Sequence, residues 1–129
     1  MAVRVIDASA LAALLFGEPD AEAVAEELVD ARLVAPGLIS FELANTCLTK
    51  MRRNPEHREA LVAAFRLRQS MALSEAAVDY AGTLRIAEDT GLTAYDASYL
   101  WLARELDVAL VTLDRRLARV AGPRARPKC

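Results

Sequence analysis

Four acidic residues stand where a folded chain could gather them. Asp7 directly follows the short apolar run Val3–Ile6. Asp114 lies two residues past Thr112, at the end of the apolar run Ala109–Thr112. Asp96 falls in the first turn of a helical segment that opens at Thr93. Glu42 is the single acid in the helical stretch from Gly37 to Arg53. Clustered carboxylates repel, and they stay ionised together only when cations neutralise them. Oxygen ligands without His or Cys select hard ions, Mg²⁺ with Mn²⁺ as a substitute. Such an ion polarises a phosphodiester, activates a water and stabilises the leaving oxygen.

Each acid also has a plainer reading. Asp7 and Asp114 fit as helix N-caps. Thr93-Ala94-Tyr95-Asp96 fits a capping box. Glu42 could face a solvated groove or a salt bridge. Its helix tells against this, because Phe41, Ala44, Leu48 and Met51 form one apolar face, which Ile39, Leu43 and Cys47 extend. Only Glu42, Asn45, Thr46 and Thr49 remain as a polar stripe, ending in Arg52 and Arg53. A helix so apolar is expected to be buried on two sides, and its one acid then needs a function.

The elements that position these residues follow from periodicity and punctuation. Strands are expected at Val3–Ile6, Leu33–Ala35, Met71–Leu73 and Ala109–Thr112. A helix from Ala8 to Phe16 stops at Gly17, and a second runs from Asp20 to about Val29. Pro36-Gly37 opens the helix that Asn54-Pro55 closes. Further helices span about Glu56–Gln69, a Ser74-capped segment to Thr90, Thr93 to Leu106, and Asp114 to about Val120. Strands alternate with helices and no short hairpin joins two of them. This predicts an α/β fold with a central parallel sheet. In such a sheet ligands bind beyond the carboxyl ends of the strands, where Asp7 and Asp114 fall.

A chain of 129 residues fits one domain. Residues 1–121 are read as that domain, and 122–129 as a basic, flexible tail. No apolar run approaches the ~20 residues of a membrane span. The first residues lack the pattern of a signal peptide, so a cytoplasmic location is expected. Cys47 and Cys129 have neither zinc nor redox spacing, and Cys47 reads as a small core residue. His57 sits in a polar stretch and offers little for catalysis. The net charge of −2 hides an uneven distribution. Arg115, Arg116, Arg119, Arg124, Arg126 and Lys128 form an acid-free basic segment, and Lys50, Arg52 and Arg53 form another. Arg52, Arg53, Arg115 and Arg116 are the candidates for contacts to a nucleic-acid phosphate backbone.

Four segments together resemble the PIN-domain family, and within it the VapC-type toxins of bacterial toxin–antitoxin pairs. They are Val5-Ile6-Asp7-Ala8-Ser9-Ala10-Leu11, Pro36-Gly37-Leu38-Ile39-Ser40-Phe41-Glu42-Leu43-Ala44-Asn45, Leu92-Thr93-Ala94-Tyr95-Asp96-Ala97-Ser98-Tyr99-Leu100-Trp101-Leu102-Ala103 and Leu110-Val111-Thr112-Leu113-Asp114-Arg115-Arg116-Leu117. The resemblance implies a PIN-like three-layer α/β/α sandwich. It implies a Mg²⁺-dependent endoribonuclease with Asp7, Glu42, Asp96 and Asp114 as catalytic metal ligands. Ser9 and Thr112 would orient carboxylates or waters, and the helical wheel puts Asn45 in position to do the same. The implied substrate is structured RNA such as tRNA or rRNA. The implied partner is an antitoxin, and the apolar Gly37–Arg53 helix suits a homodimer. The family often ends in a further strand, whereas Gly122, Pro123 and Pro127 give this tail little β character.

Two rivals have weaker support. A phosphotransfer enzyme using Asp7 as nucleophile wants a second acid two residues on, where Ser9 stands. An interaction module with purely structural acids would bind no cation.

Overall fold

The computed structural model describes residues 2–126. Five strands form one parallel sheet: β1 (Ala2–Ile6), β2 (Ala31–Pro36), β3 (Leu73–Ala76), β4 (Ala109–Val111) and β5 (Ala125–Arg126). Their order across the sheet is β3-β2-β1-β4-β5. Seven helices connect them: α1 (Ala8–Phe16), α2 (Ala21–Leu28), α3 (Ile39–Arg53), α4 (Arg58–Arg66), α5 (Tyr80–Thr90), α6 (Ala94–Leu106) and α7 (Arg115–Ala121). The chain moves outward from β1 to β2 to β3, then crosses back to β4 on the other side of β1. Right-handed crossovers therefore put α1–α4 on one face and α5–α7 on the other. This is the expected three-layer α/β/α sandwich.

The sheet centre is apolar because both faces are covered. Val5, Ile6, Leu110 and Val111 are fully buried. Leu11 and Ala13 of α1 and Ile39 and Leu43 of α3 supply one layer of the core, Ala97, Leu100 and Ala103 of α6 the other. No helix among the described residues is long and apolar enough to cross a membrane.

Three local expectations need correction. The third strand lies at Leu73–Ala76 rather than Met71–Leu73, because it pairs in register with β2, from Leu33↔Leu73 to Pro36↔Ala76. Ser74 is thus in a strand, and the next helix starts later, where the Asp79 carboxylate accepts from the Gly82 amide at 2.8 Å. The α3 helix is not buried on two sides. Ile39, Leu43 and Cys47 face inward, while Phe41 is 82% exposed and Leu48 37%. The edge strand that the sequence leaves open is present after Gly122 and Pro123. Those residues form a tight turn that returns the chain to β4, pairing Leu110 with Ala125 and Val111 with Arg126. The remainder of the tail, including Lys128 and Cys129, lies outside the described residues.

Candidate active site

The strand order reverses between β1 and β4, and a crevice opens beyond their carboxyl ends. Asp7 ends β1 and caps α1, its Oδ1 accepting from the Ala10 amide at 3.0 Å. Asp114 follows β4 and caps α7, its Oδ1 accepting from the Leu117 amide at 2.9 Å. Both capping readings are therefore correct, yet neither accounts for the whole carboxylate. Asp7 Oδ1 also accepts from the Ser9 hydroxyl at 2.7 Å, and Oδ2 from the Thr112 hydroxyl at 2.5 Å. For Asp114 the cap uses one oxygen and leaves Oδ2 uncommitted among the described residues.

Asp96 enters from α6. The Thr93 hydroxyl accepts from the Asp96 amide at 3.1 Å, so half of the expected capping box forms. Glu42 enters from α3, in the opposite layer. It has no local partner. Its Oε1 accepts instead from the Tyr99 hydroxyl of α6 at 2.5 Å.

All four acids line one cavity of about 310 Å³, together with Ala8, Ser9, Asn45, Thr46 and Tyr99. Its electrostatics follow from burial and mutual repulsion. Asp7 is only 4% exposed. Burial pushes its carboxyl up to about 6, with Asp114 adding to the rise and the bonds from Thr112, Ala10 and Ser9 opposing it. Glu42 is raised by burial and by Asp96, against the pull of the Tyr99 bond. Asp96 is raised by burial and by Asp114, and Arg116 partly offsets this. Three separate carboxyls thus hold protons more tightly than free acids, and each feels another acid of the same cavity.

The donor set suits a hard divalent cation. Every candidate ligand is oxygen, and positive charge is what the cavity lacks. Among the described residues no three acids are drawn together tightly enough to encircle an ion. Mg²⁺ keeps several of its waters and takes only one or two carboxylates directly. Acids spaced around a cavity of this size fit a partly hydrated ion.

Ser9 and Thr112 are tied to more than Asp7. The Ser9 hydroxyl accepts from the Leu113 amide at 2.9 Å, and the Thr112 hydroxyl accepts from the Asp114 amide at 3.0 Å. Thr112 is itself held by β5, its amide donating to the Arg126 carbonyl at 2.6 Å. Asn45 lines the cavity as the wheel indicated. Arg115 and Arg116 start α7 beside Asp114, and Arg116 donates to the Gly91 carbonyl at 2.5 Å. Arg52 and Arg53 are not brought to the cavity. They end α3, about 15 Å along the axis from Glu42.

Tyr99 is the residue that sequence reasoning undervalued. It reads as a core position on the inward face of α6, and it is 1% exposed. Its hydroxyl nonetheless reaches the cavity. The available signal was its place three residues after Asp96, on the same helix face.

The match to known proteins is decisive at this point: the model of the PIN domain family matches residues 4–123. The chain belongs to the PIN-domain family. It is of the VapC type. It is 31% identical to Ribonuclease VapC3 of Pyrobaculum aerophilum, over 88% of this chain and 91% of that protein. The crystal structure of PAE2754 from Pyrobaculum aerophilum superposes with a TM-score of 0.75 at 28% identity, covering 97% of this chain and 90% of the other. The crystal structure of Mycobacterium tuberculosis VapC20, a toxin that cleaves the sarcin–ricin loop, superposes with a TM-score of 0.68 at 16% identity. That match covers 96% of this chain and 99% of the toxin, and at this identity it speaks for the PIN fold alone.

Proposed function

We propose that this PIN domain is a Mg²⁺-dependent endoribonuclease, the toxin of a type II toxin–antitoxin pair, acting on structured RNA of the tRNA or rRNA kind. The observation that carries the reading is the shared cavity of Asp7, Glu42, Asp96 and Asp114, delivered by four separate segments of chain. The likeness to a curated relative named a ribonuclease supports the substrate class.

Asp7 and Asp96 would hold the first Mg²⁺ or Mn²⁺, and Glu42 and Asp114 would complete that site or hold a second ion. Such an ion, when bound, neutralises the phosphate and acidifies a water. The chain's own groups do the positioning. Ser9 and Thr112 fix both oxygens of Asp7, and Tyr99 fixes one oxygen of Glu42. Asn45 stands at the wall, where its amide would orient a water or a phosphate oxygen. Water adds to phosphorus in line with the departing O3′, giving 3′-hydroxyl and 5′-phosphate ends.

The acidic cavity repels phosphates, so cations beside it must hold the RNA backbone. Arg115 and Arg116 would do this from the start of α7, and Arg52 and Arg53 would touch a more distant stretch. The proposed partners are an antitoxin and a second copy of the chain, for which exposed apolar residues such as Tyr80 and Leu84 of α5 are available. A cytoplasmic location accompanies an RNA target.

The test is cleavage of an RNA oligonucleotide by purified protein. Mg²⁺ should support it and EDTA should stop it. Asp7→Asn and Asp96→Asn should be folded and inactive. Full activity of both variants in EDTA would remove the reading.

A further inference from the structure

Two exposed aromatic residues adjoin cavity acids along the chain. Tyr95 is 65% exposed and Phe41 82%. Each immediately precedes a cavity acid in its helix, Asp96 on α6 and Glu42 on α3. Each also lies four residues before a second cavity residue, Tyr99 and Asn45 respectively. Residues four apart share a helix face, and helical side chains lean toward the helix N-terminus. Tyr95 and Phe41 therefore sit at the rim, on the side where both helices begin.

A single exposed ring needs no explanation. Two beside one acidic cavity are different, because the cavity repels the part of RNA that most proteins grip. Base faces carry no net charge, and every base has one to stack. The cavity's size matters as well. Asp7 is 4% exposed within a recess of about 310 Å³, and a flexible unpaired strand fits a phosphodiester into such a recess more readily than a stiff duplex does. A nucleotide pulled from its stack needs a replacement surface, and flat rings at the rim supply one.

On the nuclease reading above, we infer that Tyr95 and Phe41 stack unpaired nucleobases next to the cleaved phosphodiester. Both rings are specificity contacts. They touch bases rather than the reacting phosphate.

The test uses a short single-stranded oligoribonucleotide carrying 2-aminopurine, whose fluorescence is quenched on stacking. Asp7→Asn protein, expected to bind without cutting, should quench it. Adding Tyr95→Ala or Phe41→Ala should abolish the quenching, and Tyr95→Trp or Phe41→Trp should retain it. In the active background either alanine variant should raise KM on the order of ten-fold with kcat little changed, from the loss of one stacked base. The same sequence in a duplex should be cut poorly. Unchanged quenching and KM in both alanine variants would overturn the inference, as would equal cleavage of the duplex. Loss of a dimer by light scattering with quenching unchanged would assign the rings to a second copy and also overturn it. Quenching that follows the rings without any RNA cleavage would support stacking while removing the nuclease reading, so the two failures are separable.

Discussion

The Tyr99 hydroxyl donates to Glu42 Oε1 at 2.5 Å, joining α6 to α3 across 57 residues of chain and across two layers of the sandwich. Burial and the Glu42 carboxylate both hold the phenol far above its ordinary range, so it remains a donor at any working pH. The bond gives an acid with no local cap a fixed orientation.

Tyr99→Phe keeps the ring and removes that donor. Glu42 is then half-buried without its partner, a loss of about 1–3 kcal/mol in stability by denaturant unfolding. If the bond also orients Glu42 toward a cation, activity or Mn²⁺ affinity falls roughly 10- to 100-fold. A stability loss with unchanged Mn²⁺ affinity and unchanged kcat would reduce Tyr99 to a structural residue.

Asp7 makes the cation-free protein sensitive to pH. Its folded-state carboxyl is pushed up to about 6 from an ordinary 3.8, so folding disfavours the ionised form. This penalty is absent below the ordinary value, grows between the two, and is complete above the upper one. Asp7→Asn should therefore stabilise the protein in EDTA at pH 8 by up to about 3 kcal/mol, with less effect at pH 4. Chemical denaturation at both values measures it. A larger stabilisation at the acidic value would contradict the burial argument.

Cations and protons compete for the same oxygens. Mg²⁺ should raise the Tm of the wild type at pH 8, through binding to the folded state alone. The rise should shrink as pH falls through about 6, where Asp7 takes up its proton. A Tm rise equally large at pH 5 would place the ion elsewhere.

Thr112 is buried and its hydroxyl serves both strand ends, donating to Asp7 and accepting from the Asp114 amide. Thr112→Val keeps the shape and removes both bonds. The expected cost is about 1–3 kcal/mol. Weaker Mn²⁺ binding should accompany it, because Asp7 then loses its hold on one oxygen. An unaltered Mn²⁺ affinity would count against the positioning role.

Much of the site is legible in the sequence because its acids follow strands. Val3–Ile6 and Ala109–Thr112 are short apolar runs that end in acids, and a parallel sheet sends both ends to the same edge. Asp96 and Glu42 needed the helix period as well, which correctly set Leu43 and Cys47 inward. The same period misplaced Phe41 and Leu48, since an apolar stripe does not say what covers it. The start of α5 was missed because Ser74 and Asp79 are both good caps, and the choice between them is made by strand pairing with β2. Strand β5 stays undecided in the sequence because two residues of pairing leave almost no local signal. The Tyr99–Glu42 bond is a tertiary fact that neither helix announces by itself.

The central claim is that four acids from four segments form one cation site, and calorimetric titration with Mn²⁺ tests it most directly. Wild-type protein at pH 8 should bind the ion with a saturating signal, and Asp7→Asn and Asp96→Asn should each bind it much more weakly while remaining folded. Absence of binding to the wild type, or equal binding by all three proteins, would contradict the account.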